Sequence, residues 1–261
     1  MSEAGRGSGE PILRVEALAK SFGGLRAVND LSFEVKPGTI TSLIGGNGAG
    51  KTTAFNLITG YLAPDAGAIH FRGRRVDGLA PHQVARAGIA RGFQELRLFN
   101  RLSARDNIET AVPHQQGEGL LRALLGGPKL KAERAATAAR ASALLDEQTL
   151  AEQAEALAER LSYGQQKLVA LGRLIAAHGE LLLLDEPTSG LSPAMAEGFC
   201  ARARALAQAG KTILLIEHNV EIVMRLSDWI VVMHQGGKIA EGPPSTVRAD
   251  TAVMHAYLGL S

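Results

Sequence analysis

The sequence predicts an α/β protein whose core is a mixed, mainly parallel sheet, preceded by a small antiparallel sheet and interrupted by a helical lobe. Three observations carry that prediction. The stretches ITSLI (40–44), LLLLD (181–185) and TILLI (212–216) read as strands, and LLLL has the continuous apolar form of a strand buried on both faces. Segments with apolar residues at helical spacing follow the strands. Between Gln94 and Leu161 strand-like alternation disappears and alanine is abundant, which marks the helical lobe.

Taken in order, ILRVEAL and LSFEV within 12–35 alternate apolar and polar residues around Gly23-Gly24, as two antiparallel strands joined by a turn do. Pro37-Gly38 turns the chain into ITSLI. Phe55, Ile58, Tyr61 and Leu62 then fall at helical spacing, with Gly60 and Pro64 closing that helix. AIHFRGRRV returns as a strand turning at Gly73, a helix is expected over 81–87, and GIARGFQ is a short strand ending on Gln94. In the lobe, Ser103 to Asp106 has the form of a helix cap, and Leu144, Leu145, Leu150, Ala154, Leu157 and Leu161 suggest helices. The Gly- and Leu-rich stretch 115–128 reads as a loop or short hairpin. Helices are expected after LSYGQQ, over 193–209, and after Asn219, and TILLIEH is a strand ending on His218. WIVVMHQGGKIAEG reads as a hairpin turning at Gly236-Gly237, before a last helix capped by Ser245 and ending near Tyr257.

Composition narrows the function classes. The 261 residues are 46% apolar, enough for a large core. With 28 basic residues against 26 acidic ones, net +2 and without clustering, there is no electrostatic case for nucleic acid as a partner. Cys200 is the only cysteine, which excludes an intrachain disulfide and a cysteine-rich zinc site, so a reducing compartment is expected. Residues 1–10 are small and polar, and are expected to be a flexible tail without the apolar region of a signal peptide. Apolar runs such as 181–184 and 230–233 fall far short of the ~20 residues of a membrane span.

The chemistry centres on GGNGAGKTT, residues 45–53, which fits G-x-x-x-x-G-K-[ST] at Gly45, Gly50, Lys51 and Thr52. Glycines let backbone N–H groups approach an anion, and the N-terminus of the following helix faces the same spot. The bland alternative is a flexible turn, but a strand before it, a helix after it and Lys-Thr in register favour a nucleoside triphosphate. Lys51 then suits the β- and γ-phosphates, Thr52 a Mg²⁺ ion and Thr53 the α-phosphate. LLLLDEP closes a buried strand on two carboxylates; Asp185 suits a Mg²⁺-linked role and Glu186 a base for the attacking water, whereas without the upstream loop such a pair would be a helix cap or solvated edge. Phe22 is either an ordinary sheet aromatic or a ring that stacks on adenine. Ser162 and Gly164 open a helix, either as a plain cap or as donors to an anion. His218 is either satisfied by its neighbours or reaches a γ-phosphate.

These elements in this order resemble the nucleotide-binding subunit of ABC transporters, over about 12–259. The resemblance rests on Phe22 at the adenine-stacking position, GGNGAGKTT as Walker A, Gln94 in GFQ, LSYGQQ as signature, LLLLDEP as Walker B, SGLSP (189–193) as D-loop and His218 as switch histidine. It implies a P-loop NTPase of ABC type, with core and antiparallel part at about 11–94 and 162–261 and a helical lobe at 95–161. ATP is then held by Phe22, Gly45, Gly46, Asn47, Gly48, Ala49, Gly50, Lys51, Thr52, Thr53 and Asp185, with Mg²⁺ at Thr52, Gln94 and Asp185. Glu186, His218 and Gln94 serve hydrolysis. Leu161, Ser162, Tyr163, Gly164 and Gln165 close the ATP site of another subunit in trans, so a homodimer or a heterodimer with a second ABC ATPase is implied.

The same resemblance implies integral membrane permease subunits contacted through the Gln94 loop and the helical lobe, an extracytoplasmic substrate-binding protein reached indirectly, and a peripheral location on the cytoplasmic face of the inner membrane. Departures are few: Gly46 replaces a common proline, Tyr163 a more usual glycine, and Phe22 a more frequent tyrosine. Within the family the chain is most similar to branched-chain amino acid importer ATPases, through LSYGQQ, Arg97-Leu98-Phe99, IEHN and Ala256-Tyr257-Leu258-Gly259. The alternatives are the ATPase of a lipid or lipopolysaccharide exporter, which shares every catalytic motif, and a soluble non-transport ABC ATPase, whose coiled-coil insertions, zinc modules or second ATPase unit are not seen in this sequence.

Overall fold

A computed structural model describes residues 10–92, 96–113, 127–250 and 253. The chain divides into two compact units: one takes in the residues up to Arg91, Glu180–Pro187 and those from Cys200 onward, the other Gly92–Gly179 and Thr188–Phe199.

The first unit holds two sheets. β1 (Leu13–Phe22) and β2 (Leu25–Val35) pair antiparallel, and β4 (Ala66–Phe71) and β5 (Arg74–Arg75) extend the sheet in the order β2-β1-β4-β5. Alternation turns Leu13 and Val15 of β1, with Leu31, Phe33 and Val35 of β2, inward, and an irregularity after Val15, where Ala17 takes φ 47°, returns Leu18 to the same buried side. The second sheet has six strands in the order β10-β9-β3-β8-β7-β6, where β3 is Ile40–Gly45, β6 Ile89–Gly92, β7 Leu181–Asp185, β8 Thr212–Ile216, β9 Trp229–His234 and β10 Gly237–Gly242. β3 runs parallel to both β8 and β9, β7 runs parallel to β8, and β10 pairs antiparallel with β9. Every residue of β3, β7 and β8 is buried, as two-sided coverage requires of parallel strands.

Several expected boundaries shift for local reasons. Helix α1 (Lys51–Ile58) stops before Tyr61, because Gly60 takes a φ of 74° and ends the helical path. Helix α2 (Pro81–Ala87) matches its expected range. β8 ends at Ile216 and not at His218: the Ile216 carbonyl accepts the Glu186 N–H, and the His218 N–H donates to the Glu217 carboxylate. The β9–β10 turn lies at Gln235-Gly236, one residue earlier than expected, where positive φ at both residues fits a two-residue hairpin turn. The last described helix (Pro244–Ala249) has Pro243 as its N-cap, so Ser245 lies inside the first turn. Tyr257 lies outside the described residues, as do residues 1–9, Gln94 and 114–126.

The second unit is helical: α3 (Ala104–Glu109), α4 (Pro128–Glu147) and α5 (Tyr163–Ala176), with single turns at Ala151–Gln153 and Ala158–Arg160. Ser103 caps α3 by accepting the Asp106 N–H at 3.0 Å. This unit is broader than the lobe expected at 95–161, because the whole of α5 and the segment after Pro187 belong to it. Helix α6 (Pro193–Gln208) begins in this unit and ends in the first. Among the described residues no helix is long and apolar enough to cross a membrane.

Candidate nucleotide site

Because β3, β7 and β8 are parallel, their carboxyl ends lie at one edge of the sheet, and the motif residues of the first unit leave from that edge. Gly45 is the last residue of β3, and the loop to Lys51 turns tightly: the Ala49 N–H donates to the Gly46 carbonyl at 3.2 Å. Gly50, with φ 97°, is the N-cap of α1 and provides no side-chain cap, so the first-turn amides are not claimed by a capping side chain. A Cβ on Gly50 would stand 2.2 Å from the Ala27 carbonyl oxygen, and one on Gly45 would stand 2.2 Å from that of Met233. Gly46 has neither a positive φ nor a close neighbour, so the departure there concerns no required backbone shape. Gly50→Ala is expected to destabilise the protein by about 1–3 kcal/mol through strain and this clash. Urea unfolding measures it, and an unchanged midpoint would show that the loop can shift without cost.

Lys51 folds back on the loop, its ammonium donating to the carbonyls of Gly45 at 2.8 Å and Gly46 at 2.9 Å. Burial pushes its pKa below the ordinary lysine value, an effect that the negative charges of Glu186 and Asp185 partly offset. Thr52 is exposed and Thr53 half-buried at the start of α1. Asp185 ends β7 and is buried, which raises its carboxyl pKa even though the Arg91 guanidinium opposes the shift.

Glu186 follows in the left-handed region at φ 51°, a conformation that a non-glycine residue adopts only under constraint. Its N–H donates to the Ile216 carbonyl at 2.9 Å, and its Oε1 lies 2.7 Å from His218 Nε2 in a direct hydrogen bond. The structure therefore brings Lys51, Asp185, Glu186 and His218 to one sheet edge. Phe22 lies at the end of β1 in the same unit, 44% exposed, with the Lys20 ammonium 5.7 Å from its ring centre.

The signature residues lie in the second unit. Leu161 is buried, Ser162 is the N-cap of α5, and a reciprocal capping box forms: Ser162 Oγ accepts the Gln165 N–H, and Gln165 Oε1 accepts the Ser162 N–H. Tyr163 is 47% exposed, its face carrying the Lys167 ammonium at 5.2 Å. Gly164 lies under the tip of the Met195 side chain: a Cβ there would stand 1.9 Å from Met195 Cε, so the flexible thioether would have to move aside. Lys167 donates to the Ser189 carbonyl at 2.6 Å, joining the signature helix to SGLSP within this unit.

Arg91, which is not among the residues expected at the site, is placed by the fold against Asp185. The available signal was a charged residue between apolar neighbours in the strand GIARGF, a position that needs an acidic partner. A separate cavity of about 800 Å³ opens near the amino end of β3, beside Thr39, Thr41 and Trp229, and none of the motif residues lines it.

A glycine-rich loop between a buried parallel strand and a helix, with its lysine and a strand-end Asp-Glu pair at the same sheet edge, defines a P-loop nucleoside triphosphatase. The ABC transporter family model matches residues 28–189, and the chain belongs to that family. It is the ATP-binding and hydrolysing subunit of an ABC transporter. The high-affinity branched-chain amino acid transport ATP-binding protein LivG of Salmonella typhimurium is 40% identical over 251 residues, 96% of this chain and 98% of that protein. The corresponding BraF protein of Pseudomonas aeruginosa is 38% identical over 250 residues, 95% of this chain and 98% of its own length. The crystal structure of a nucleotide-free ATP-binding cassette from an ABC transporter superposes with a TM-score of 0.82 at 31% identity, covering 96% of this chain and all of that one. The ADP conformation of such a cassette superposes equally well, at 30% identity over 97% of this chain.

Proposed function

We propose that this chain powers the import of branched-chain or related amino acids. The observation that carries the reading is its 40% identity, over nearly the full length of both chains, to an ATP-binding protein of branched-chain amino acid transport. Arg97-Leu98-Phe99 and IEHN in the sequence support it, and the AYLG at 256–259 lies outside the described residues.

In this reading Lys51 leaves the Gly45 and Gly46 carbonyls for the β- and γ-phosphates of ATP, and the amides of the loop and of α1 receive the phosphate oxygens. Phe22 stacks on the adenine. Glu186, oriented by His218, takes the proton of the attacking water. Thr52 and Asp185 hold Mg²⁺, with Gln94, outside the described residues, as a further ligand. The donor set fits: a hydroxyl and a carboxylate are the hard oxygen donors that Mg²⁺ takes. When bound, Mg²⁺ neutralises charge on the phosphates.

Leu161 to Gln165 close the nucleotide site of a second ATPase subunit, in a homodimer or heterodimer. The helical unit and the Gln94 segment meet the permease on the cytoplasmic face of the membrane, and an extracytoplasmic binding protein delivers substrate to that permease. Affinity purification of the chain from native membranes is expected to bring down a permease that works with an amino-acid-binding protein. Recovery of a lipid-extracting membrane partner in its place would overturn the import reading.

A further inference from the structure

Arg91 sits in β6 with its side chain 9% exposed, facing an Asp185 side chain that is 4% exposed. One arm of the guanidinium, NH2, donates to Asp185 Oδ2 at 3.2 Å. The other arm, NH1, donates to Asn56 Oδ1 at 2.6 Å and to Thr59 Oγ1 at 3.3 Å. Asn56 belongs to α1 and Thr59 is its C-cap. The guanidinium carbon lies 5.7 Å from the ring centre of Phe55 and 5.9 Å from that of Tyr61. One planar, always-charged group thus fastens the end of β7 to the helix that follows the glycine-rich loop. Those two elements carry Asp185 and Thr52, the residues assigned above to Mg²⁺.

We propose that Arg91 is a positioning residue for the metal site, fixing the Asp185 carboxylate by one oxygen and setting its spacing from Thr52 through α1. The inference rests on the metal-site reading of Asp185. Engaging Oδ2 stops rotation of the carboxylate and leaves Oδ1 as the oxygen to be presented. Lysine cannot replace the fork, because a single ammonium does not reach in two directions from a planar frame. Arg91 touches neither nucleotide nor metal in this assignment; it acts through Asp185, as an outer partner orients a ligand.

The test is binding of a fluorescent, non-hydrolysable ATP analogue to the full chain, in EDTA and across a Mg²⁺ titration, for Arg91→Gln, Arg91→Lys and Asn56→Ala. For Arg91→Gln the expected result is unchanged affinity in EDTA and a Mg²⁺ midpoint raised about ten-fold or more, in line with the loss of outer partners elsewhere. Arg91→Lys shifts the midpoint nearly as far, and Asn56→Ala shifts it less in the same direction. If Arg91→Gln does not fold, the Asn56→Ala midpoint decides. An unchanged midpoint overturns the inference, as does a lowered one, which would make Arg91 a competitor for Asp185. Equal loss with and without Mg²⁺ also overturns it, by showing a merely structural role. Asp185→Asn separates the two levels: if it leaves the Mg²⁺ dependence intact the metal-site reading itself fails, and if it abolishes that dependence while Arg91→Gln behaves as the parent, only the role of Arg91 fails.

Discussion

Glu186→Gln is expected to lower ATP hydrolysis by about 10²- to 10⁴-fold, the usual range for removing a positioned general base, while ATP binding persists. Glutamine has the shape of glutamate and keeps a partner for His218 at the 2.7 Å contact, so the strand-end geometry is retained. What it lacks is a carboxylate able to accept a proton. The left-handed backbone at φ 51° and the N–H bond to Ile216 do not depend on the side-chain charge, so the fold tolerates the change. With hydrolysis stopped, the ATP-held dimer is expected to accumulate. Phosphate release and ATP-dependent size measured by light scattering check both halves, and hydrolysis at the parental rate would show that Glu186 is not the base.

Lys51→Ala acts on the other partner of the reaction. Hydrogen bonds to a charged group contribute about 1.5–3 kcal/mol, so ATP affinity is expected to fall roughly ten- to over a hundred-fold. Lys51 is buried and already bonded to two loop carbonyls, so its loss also removes an internal tie of the loop. Calorimetric titration with ATP, set beside the unfolding midpoint of the variant, distinguishes lost phosphate contact from a collapsed loop. Unchanged affinity would sink the phosphate-clamp role.

Much of this is legible in the sequence. Lys51, Thr52, Asp185 and Glu186 stand in short motifs where adjacent residues share one loop or one strand end, and local spacing alone dictates which way they lead. The strands themselves were equally plain, because burial on both faces writes an uninterrupted apolar run into 181–184. The capping box at Ser162 and Gln165 is likewise a three-residue relation.

Relations between distant residues were not legible. Nothing in GIARGF names Asp185 as the partner of Arg91, 94 positions along the chain, because only the order β8-β7-β6 makes those strands neighbours. The contact of His218 with Glu186 comes likewise from the parallel pairing of β7 with β8, and the approach of the Met195 side chain to Gly164 from how α5 and the start of α6 pack in one unit. By itself the sequence determined the class of fold, the glycine-rich loop between strand and helix and the acidic strand end, since those depend on period and adjacency. Tertiary structure alone decided how the acids are held, because a buried charge takes its partner from whichever element packs beside it.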